Sequence, residues 1–246
     1  MSALRLLCLG TGDAFSRLRY SSALALESAG ARLLVDCPHP IRKILHEAST
    51  SAGLDLDVGS FDGVVLTHLH ADHASGLEDF GYFSRIALGR RAVLLTHAEA
   101  ARNLDAALGH LLAPPDAAAA AGPRLADLFE LRLLADDAPT QFGPFAIECR
   151  PTSHSLPTRA LRIRAGGRIL GLSADTAFDP GLIAWLAAEA DLVVHETGHG
   201  PHTPYAKLAE LPEPLRAKMR LIHYPDDFDA AASVIEPLVQ GRSYEV

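Results

Sequence analysis

THLHADH, Thr67 to His73, sets three imidazoles and a carboxylate directly behind the apolar run GVVL. The preceding residues read as a buried strand, and the heptad as a loop that opens a helix at about Ala71 to Ser75. Strand ends are where clefts form. His68 and His70, two apart on an extended segment, can point the same way, whereas Asp72 and His73 sit on the next turn and can face a second ion. One cation takes three or four ligands, and imidazole nitrogen with carboxylate oxygen suits zinc, manganese or iron. A polar loop of merely solvated histidines would explain one such residue, but it is a poor account of H-x-H-x-D-H behind a buried strand.

The rest of the chain fits a globular enzyme. With 246 residues, 48% of them hydrophobic and 21% charged, it can bury one large core, so residues 1–246 are expected to form a single domain. MSALRLLCLG enters a strand pattern rather than a signal peptide, and no run of eighteen apolar residues appears, so no membrane span is expected and a cytoplasmic protein is. Cys8, Cys37 and Cys149 are far apart with no C-x-x-C spacing, which speaks against a thiolate zinc site or a disulfide framework. A formal charge of -8 repels polyanions, so nucleic acid is disfavoured and a small-molecule substrate favoured.

Strand-like runs such as LRLLCLG, SALALES, ARLLVD, RAVLLT, FAIECRP, RILGLSA, ADLVVHE and MRLIHY recur along the chain. Helical patterns are expected at Pro40 to Ala48, Ala74 to Phe83, His97 to Leu112, Asp179 to Glu189 and Thr203 to Leu211. Strands joined by tight turns come first and alternate with helices later, which suits two mixed sheets flanked by helices. APPDAAAAAGP, Ala113 to Pro123, is the low-complexity stretch and reads as a surface loop or a cover.

Three further donors each follow or end a strand: His154, Asp175 and His223. Singly they say little. Together with the heptad they complete two sets, His68, His70 and His154 for one metal and Asp72, His73 and His223 for the other, with Asp175 bridging.

In that order the seven donors resemble the five-motif metal site of the metallo-β-lactamase superfamily of hydrolases. The resemblance spans nearly the whole chain. It implies an α/β (α+β) fold, a four-layer αβ/βα sandwich of two mixed β-sheets with a dinuclear site at one edge, holding two divalent ions, Zn2+ or else Mn2+ or Fe2+. LGTGDAF, LLVDCP, LSADT and VVHETGHGPHT are similar to the ribonuclease Z-like phosphodiesterase branch. There a strand ending in H-E precedes a histidine that protonates the leaving group, which maps to His195, Glu196 and His202. His195 and His199 are the other candidates for that proton. The branch also allows a homodimer. Asp36 would be a carboxylate that orients a ligand histidine.

Departures from the branch narrow the function. Only 20 residues separate His154 from Asp175, too few for the tRNA-grasping arm, and Pro38 stands where that family has a glycine. A tRNA 3′-processing endonuclease is therefore disfavoured, and compact members that cleave small or cyclic phosphodiesters are the nearer likeness. The expected chemistry is attack by a hydroxide shared between ions about 3.5–4 Å apart, with Asp72 taking its proton and His202, oriented by Glu196, donating one to the leaving oxygen. Alternatives are hydrolysis of a thioester, lactone or β-lactam, a di-iron redox protein, and a non-catalytic sensor. Di-iron members usually carry a glutamate where His70 stands, and sensors tend to lose ligands. Past His223, HYPDDFD reads as a helix start capped by Asp226 or Asp227.

Overall fold

The computed structural model describes residues 3–112 and 125–246; the stretch Ala113 to Pro123, expected to be a loop or cover, lies outside them. The first half of the chain forms β1 (Arg5–Gly10), β2 (Ala23–Ser28), β3 (Ala31–Val35), α1 (Ile41–Ser51), β4 (Gly63–Val65), α2 (Ala71–Ala74), α3 (Leu77–Ile86), β5 (Ala92–Thr96), α4 (Ala98–Leu112), α5 (Leu125–Leu128) and β6 (Phe129–Leu133). The second half forms β7 (Thr140–Phe142), β8 (Phe145–Pro151), β9 (Arg159–Ala165), β10 (Arg168–Leu172), α6 (Pro180–Ala187), β11 (Leu192–Glu196), α7 (Tyr205–Ala209), α8 (Glu213–Ala217), β12 (Met219–Ile222) and β13 (Ser243–Glu245).

Among the described residues the strands make a seven-stranded sheet, β13-β1-β2-β3-β4-β5-β6, and a six-stranded sheet, β12-β11-β10-β9-β8-β7. Both are mixed. β3 through β6 run parallel, as do β10, β11 and β12, while the hairpins that flank them are antiparallel. The period-2 alternation of strands explains the layering. In β1, Leu6 and Cys8 face the opposing sheet, and Leu7 and Leu9 face the helices. In β9, Leu161 and Ile163 face the same inter-sheet layer, and Ala160 lies in the layer under α6. Three apolar layers result, and two sheets sandwiched between helices make an αβ/βα fold.

The helices dock by the faces their sequences dictate. Ile41, Ile44, Leu45 and Ala48 form the buried stripe of α1 at spacings of three and four. α6 begins with the Asp179 carboxylate accepting from the amides of Gly181 and Leu182, with Pro180 at the first helical position, where its missing N–H costs nothing.

Two local expectations needed correction. The helix expected at Ala74 to Phe83 is split into α2 and α3, because the chain must pass the backbone of Pro38 at Gly76. A Cβ there would lie 2.5 Å from the Pro38 carbonyl oxygen, and the Gly76 amide donates to the Cys37 carbonyl at 2.7 Å. HYPDDFD starts no helix; it forms turns, because the Asp226 carboxylate is engaged by Ser16, Arg17 and Arg19 from the β1–β2 loop.

The parallel strands aim their C-terminal ends at one edge, and there the backbone is strained. Asp36, Ala174 and His223, just past β3, β10 and β12, have φ of 58, 49 and 56, in the left-handed region. Each costs on the order of 1 kcal/mol for a residue other than glycine. Such strain persists only where surrounding contacts fix it, and it turns these side chains inward at the strand ends.

Candidate metal centre

The heptad leaves β4 and is anchored at once. The amide of Thr67 donates to Asp36 Oδ1 at 2.8 Å, and the Thr67 carbonyl accepts from the amide of Arg159 at 3.2 Å. The turn into α2 then places Asp72 and His73 one turn beyond His68 and His70. His154 arrives from the β8–β9 loop, Asp175 from the end of β10 and His223 from the end of β12. Loop-to-loop bonds fix these arrivals: Thr152 Oγ1 donates to the Asp175 carbonyl at 2.7 Å, and the Ala177 amide to the Ser153 carbonyl at 2.8 Å.

The seven donors converge. His68, His70, His154 and Asp175 offer one donor atom each within 4.8 Å of one another, and so do Asp72, His73, Asp175 and His223. Asp175 belongs to both groups, with Oδ1 3.4 Å from His73 Nε2 and Oδ2 3.7 Å from His68 Nε2, 3.7 Å from His154 Nε2 and 3.5 Å from His223 Nε2. Asp72 Oδ2 lies 3.2 Å from both His73 Nε2 and His223 Nε2.

Asp36 sets the tautomers behind them. Its Oδ2 lies 2.8 Å from His73 Nδ1, and its carboxylate accepts the Thr67 hydroxyl, whose oxygen is 3.0 Å from His68 Nδ1. Because the Thr67 proton goes to the carboxylate, that oxygen is left to accept from His68 Nδ1–H. His68 thus carries its proton on Nδ1 and turns the Nε2 lone pair to the cluster, and Asp36 fixes a proton on His73 Nδ1 so that His73 Nε2 faces the cluster. The sequence reading foresaw Asp36 but not Thr67. The signal was in plain view, a hydroxyl residue immediately before the first histidine.

The electrostatics suit cation coordination. Burial, aided by the charge of His73, pushes His68 down to about 2, so it is neutral and its lone pair free, and burial also lowers His154. Burial works to raise Asp72, but its hydrogen bond with His223 and the charge of the adjacent His73 outweigh it and keep the carboxylate ionised. Asp175 is likewise held below the carboxylate range by the charges of His73 and His223 against its burial. Burial opposes charge on His73, yet Asp175 and Asp36 raise it well above the ordinary histidine value.

The residues fit a divalent ion on their own geometry. His73 Nε2 is buried and has no hydrogen-bond partner, although two carboxylates surround it. His70 Nδ1 lies 3.1 Å from His68 Nε2 and 3.0 Å from His154 Nε2, three imidazole nitrogens crowded together with too few protons to bond them all. A cation held among these donors would take up the lone pairs that face the cluster, and it would compete with the proton that His73 otherwise shares with its carboxylates.

Glu196 and His202 adjoin the cluster. Glu196 Oε1 accepts from the amides of Thr176 at 2.9 Å and Thr203 at 3.2 Å, and lies 3.2 Å from His202 Nδ1. His202 Nδ1 is 4.0 Å from Asp175 Oδ2, and its hydrogen bond with Glu196 raises its affinity for a proton against the effect of burial. The other two histidines lie elsewhere. His195 is fully buried with Nδ1 on the Glu196 carbonyl, and His199 is exposed at the cleft rim, 3.0 Å from Asp227.

A cleft of about 890 Å³ opens over the cluster, lined by His70, Asp72, His154, His202 and, from the β1–β2 loop, Asp13 and Phe15. Among the described residues no helix is long and apolar enough to cross a membrane.

Two mixed sheets between helix layers, with a histidine and aspartate cluster suited to metal binding at one edge, define a metallo-β-lactamase-fold protein. Solved structures share the architecture: the metallo-β-lactamase fold protein YhfI from Bacillus subtilis superposes with a TM-score of 0.78 at 17% identity, covering 99% of this chain and 100% of that one. A diphosphatase of the PhnP family superposes with a TM-score of 0.73 at 18% identity, covering 99% and 98%. Within that fold the chain belongs to the Anti-Pycsar protein Apyc1 family, whose model matches residues 4–238. It is 33% identical to the Anti-Pycsar protein Apyc1 of Bacillus phage 010DV004, over 98% of each chain. With that of Saccharibacillus brassicae the identity is 30%, over 97% of this chain and 98% of the other.

Proposed function

We propose that the chain is a metal-dependent phosphodiesterase that hydrolyses a small cyclic phosphodiester, with a cyclic nucleotide as the substrate class. His68, His70, His154 and Asp175 would hold one cation, and Asp72, His73, Asp175 and His223 a second, with zinc the first expectation. Membership of the Anti-Pycsar protein Apyc1 family, together with a fold shared with a diphosphatase, supports a hydrolase of this class. The shared inter-sheet core supports reading residues 1–246 as one domain.

Bound divalent cations supply the Lewis acidity that makes water a nucleophile at neutral pH. The chain's own residues do the rest. Asp72 Oδ2 is engaged by His73 and His223, so Oδ1 remains to accept the proton of the attacking water. As the P–O bond to the leaving oxygen breaks, His202 gives that oxygen a proton from Nε2, since Nδ1 is turned to Glu196. The fixed carboxylate behind the ring holds both its orientation and its charge. A positioned acid of this kind is worth about 10²–10⁴ in rate.

The observation that carries the reading is the Glu196–His202 pair set 4.0 Å from the shared Asp175. An alkoxide is a poor leaving group and needs such an acid, whereas a thiolate does not. The test is a metal-loaded preparation assayed on 3′,5′-cyclic nucleotides, bis(p-nitrophenyl) phosphate and thioesters. Turnover of the cyclic nucleotides is the expected result, and activity confined to thioesters would overturn it.

A further inference from the structure

The cleft contains one aromatic side chain that the proposed chemistry leaves unused. Phe15 lines it together with His70, His154 and His202, and is 89% exposed. An apolar ring so open is costly to display, yet the loop that carries it is tied down on both sides. The Phe15 amide donates to Asp13 Oδ1 at 3.0 Å. One residue on, Ser16 Oγ donates to Asp226 Oδ1 at 2.6 Å, and the Arg17 amide to Asp226 Oδ2 at 2.7 Å. The Arg19 guanidinium donates to the same carboxylate at 3.1 Å and lies 4.9 Å from the centre of the Tyr224 ring. Gly12 permits the fold-back, because a Cβ there would come within 2.7 Å of Ser16 Cβ. None of these contacts uses the Phe15 ring. The ordering cost of the loop is met without it, which leaves the ring pre-positioned for a ligand.

We infer that Phe15 is the platform on which the nucleobase of a cyclic nucleotide stacks while its phosphate sits at the histidine and aspartate cluster, an inference that rests on the phosphodiesterase reading. Phosphate and base lie at opposite ends of such a ligand, as the cluster and Phe15 lie at floor and rim of the cleft. Stacking uses the π-face that every base possesses. The protein should therefore require a base without discriminating strongly among purines and pyrimidines.

The test compares binding to metal-loaded protein of slowly hydrolysed cyclic nucleotide phosphorothioates and of a cyclic ribose phosphorothioate that lacks a base. Phe15→Ala should weaken the nucleotide about tenfold relative to the base-free ligand, the loss expected of one stacked base. Phe15→Trp should restore it, and KM for cyclic nucleotides should follow the same order while kcat holds. Equal losses on both ligands, or no loss, would overturn the inference. So would a Phe15→Ala protein that sediments as a smaller species than the wild type, since the ring would then be a contact between copies. Base-dependent binding through Phe15 with no hydrolysis would strike the phosphodiesterase reading and keep the platform; hydrolysis indifferent to Phe15 would do the reverse.

Discussion

The two halves of the donor cluster are built differently. The His68, His70 and His154 half is all imidazole apart from the shared Asp175, and His70 in it is only half-buried. The Asp72, His73 and His223 half adds a second carboxylate, both its histidines are buried, and His73 is braced from behind by Asp36. More negative charge binds a cation more strongly, because each carboxylate adds a full charge to the attraction. The lesson is an order of filling: the carboxylate-rich half should load first, and the imidazole half should lose its cation first to a chelator.

The largest effect is expected where the halves meet. Asp175→Ala removes a donor from both, so metal content should fall at both positions and hydrolysis should disappear, as elemental analysis beside an activity assay will show. A protein that kept full occupancy of either half would break the account of Asp175 as the shared donor.

His202→Ala comes next and should spare both halves. Cyclic nucleotide turnover should fall about 10²–10⁴-fold at undiminished metal content. The loss should be much smaller with a p-nitrophenolate leaving group, which departs without a proton. An equal loss on both substrates would sink the assignment of His202 as the acid.

Asp36→Ala should separate the halves. It leaves the proton on His73 Nδ1 without its acceptor and strands the Thr67 hydroxyl that sets His68. Metal affinity should drop about 10–100-fold, the usual cost of losing a partner that orients a ligand. Calorimetric titration should show the larger drop in the tighter of two binding steps, since His73 is held directly and His68 only through Thr67.

The smallest effect concerns pH. Glu196 keeps the proton on His202 to a higher pH than an ordinary histidine, and the acid acts only when protonated, so activity should fall as pH rises through that raised value. Glu196→Gln removes the charge that holds the proton. The alkaline limb of kcat should then shift to lower pH, and an unmoved limb would detach Glu196 from the acid.

Much of this was legible along the chain. The apolar run before Thr67 is a strand, the runs LRLLCLG and FAIECRP are strands, and the donors of the heptad meet in one cluster. Other features could not be read. The break between α2 and α3 depends on Pro38, thirty-eight positions upstream of Gly76. Asp226 looked like a helix cap because that is the local role of an aspartate before a polar turn. Its partners, Ser16, Arg17 and Arg19, lie at the other end of the chain, and no local pattern reports them.

The sequence alone determined the chemistry available: which atoms can bind a cation, which can carry a proton, and which strands deliver them. Those properties belong to residue types and short spacings. Tertiary structure decided which donors converge, which histidine stands beside Glu196, and which ring meets the cleft. Each of these turns on distances of a few ångströms between segments far apart in the chain, and they arise only when two sheets pack their strand ends against one edge.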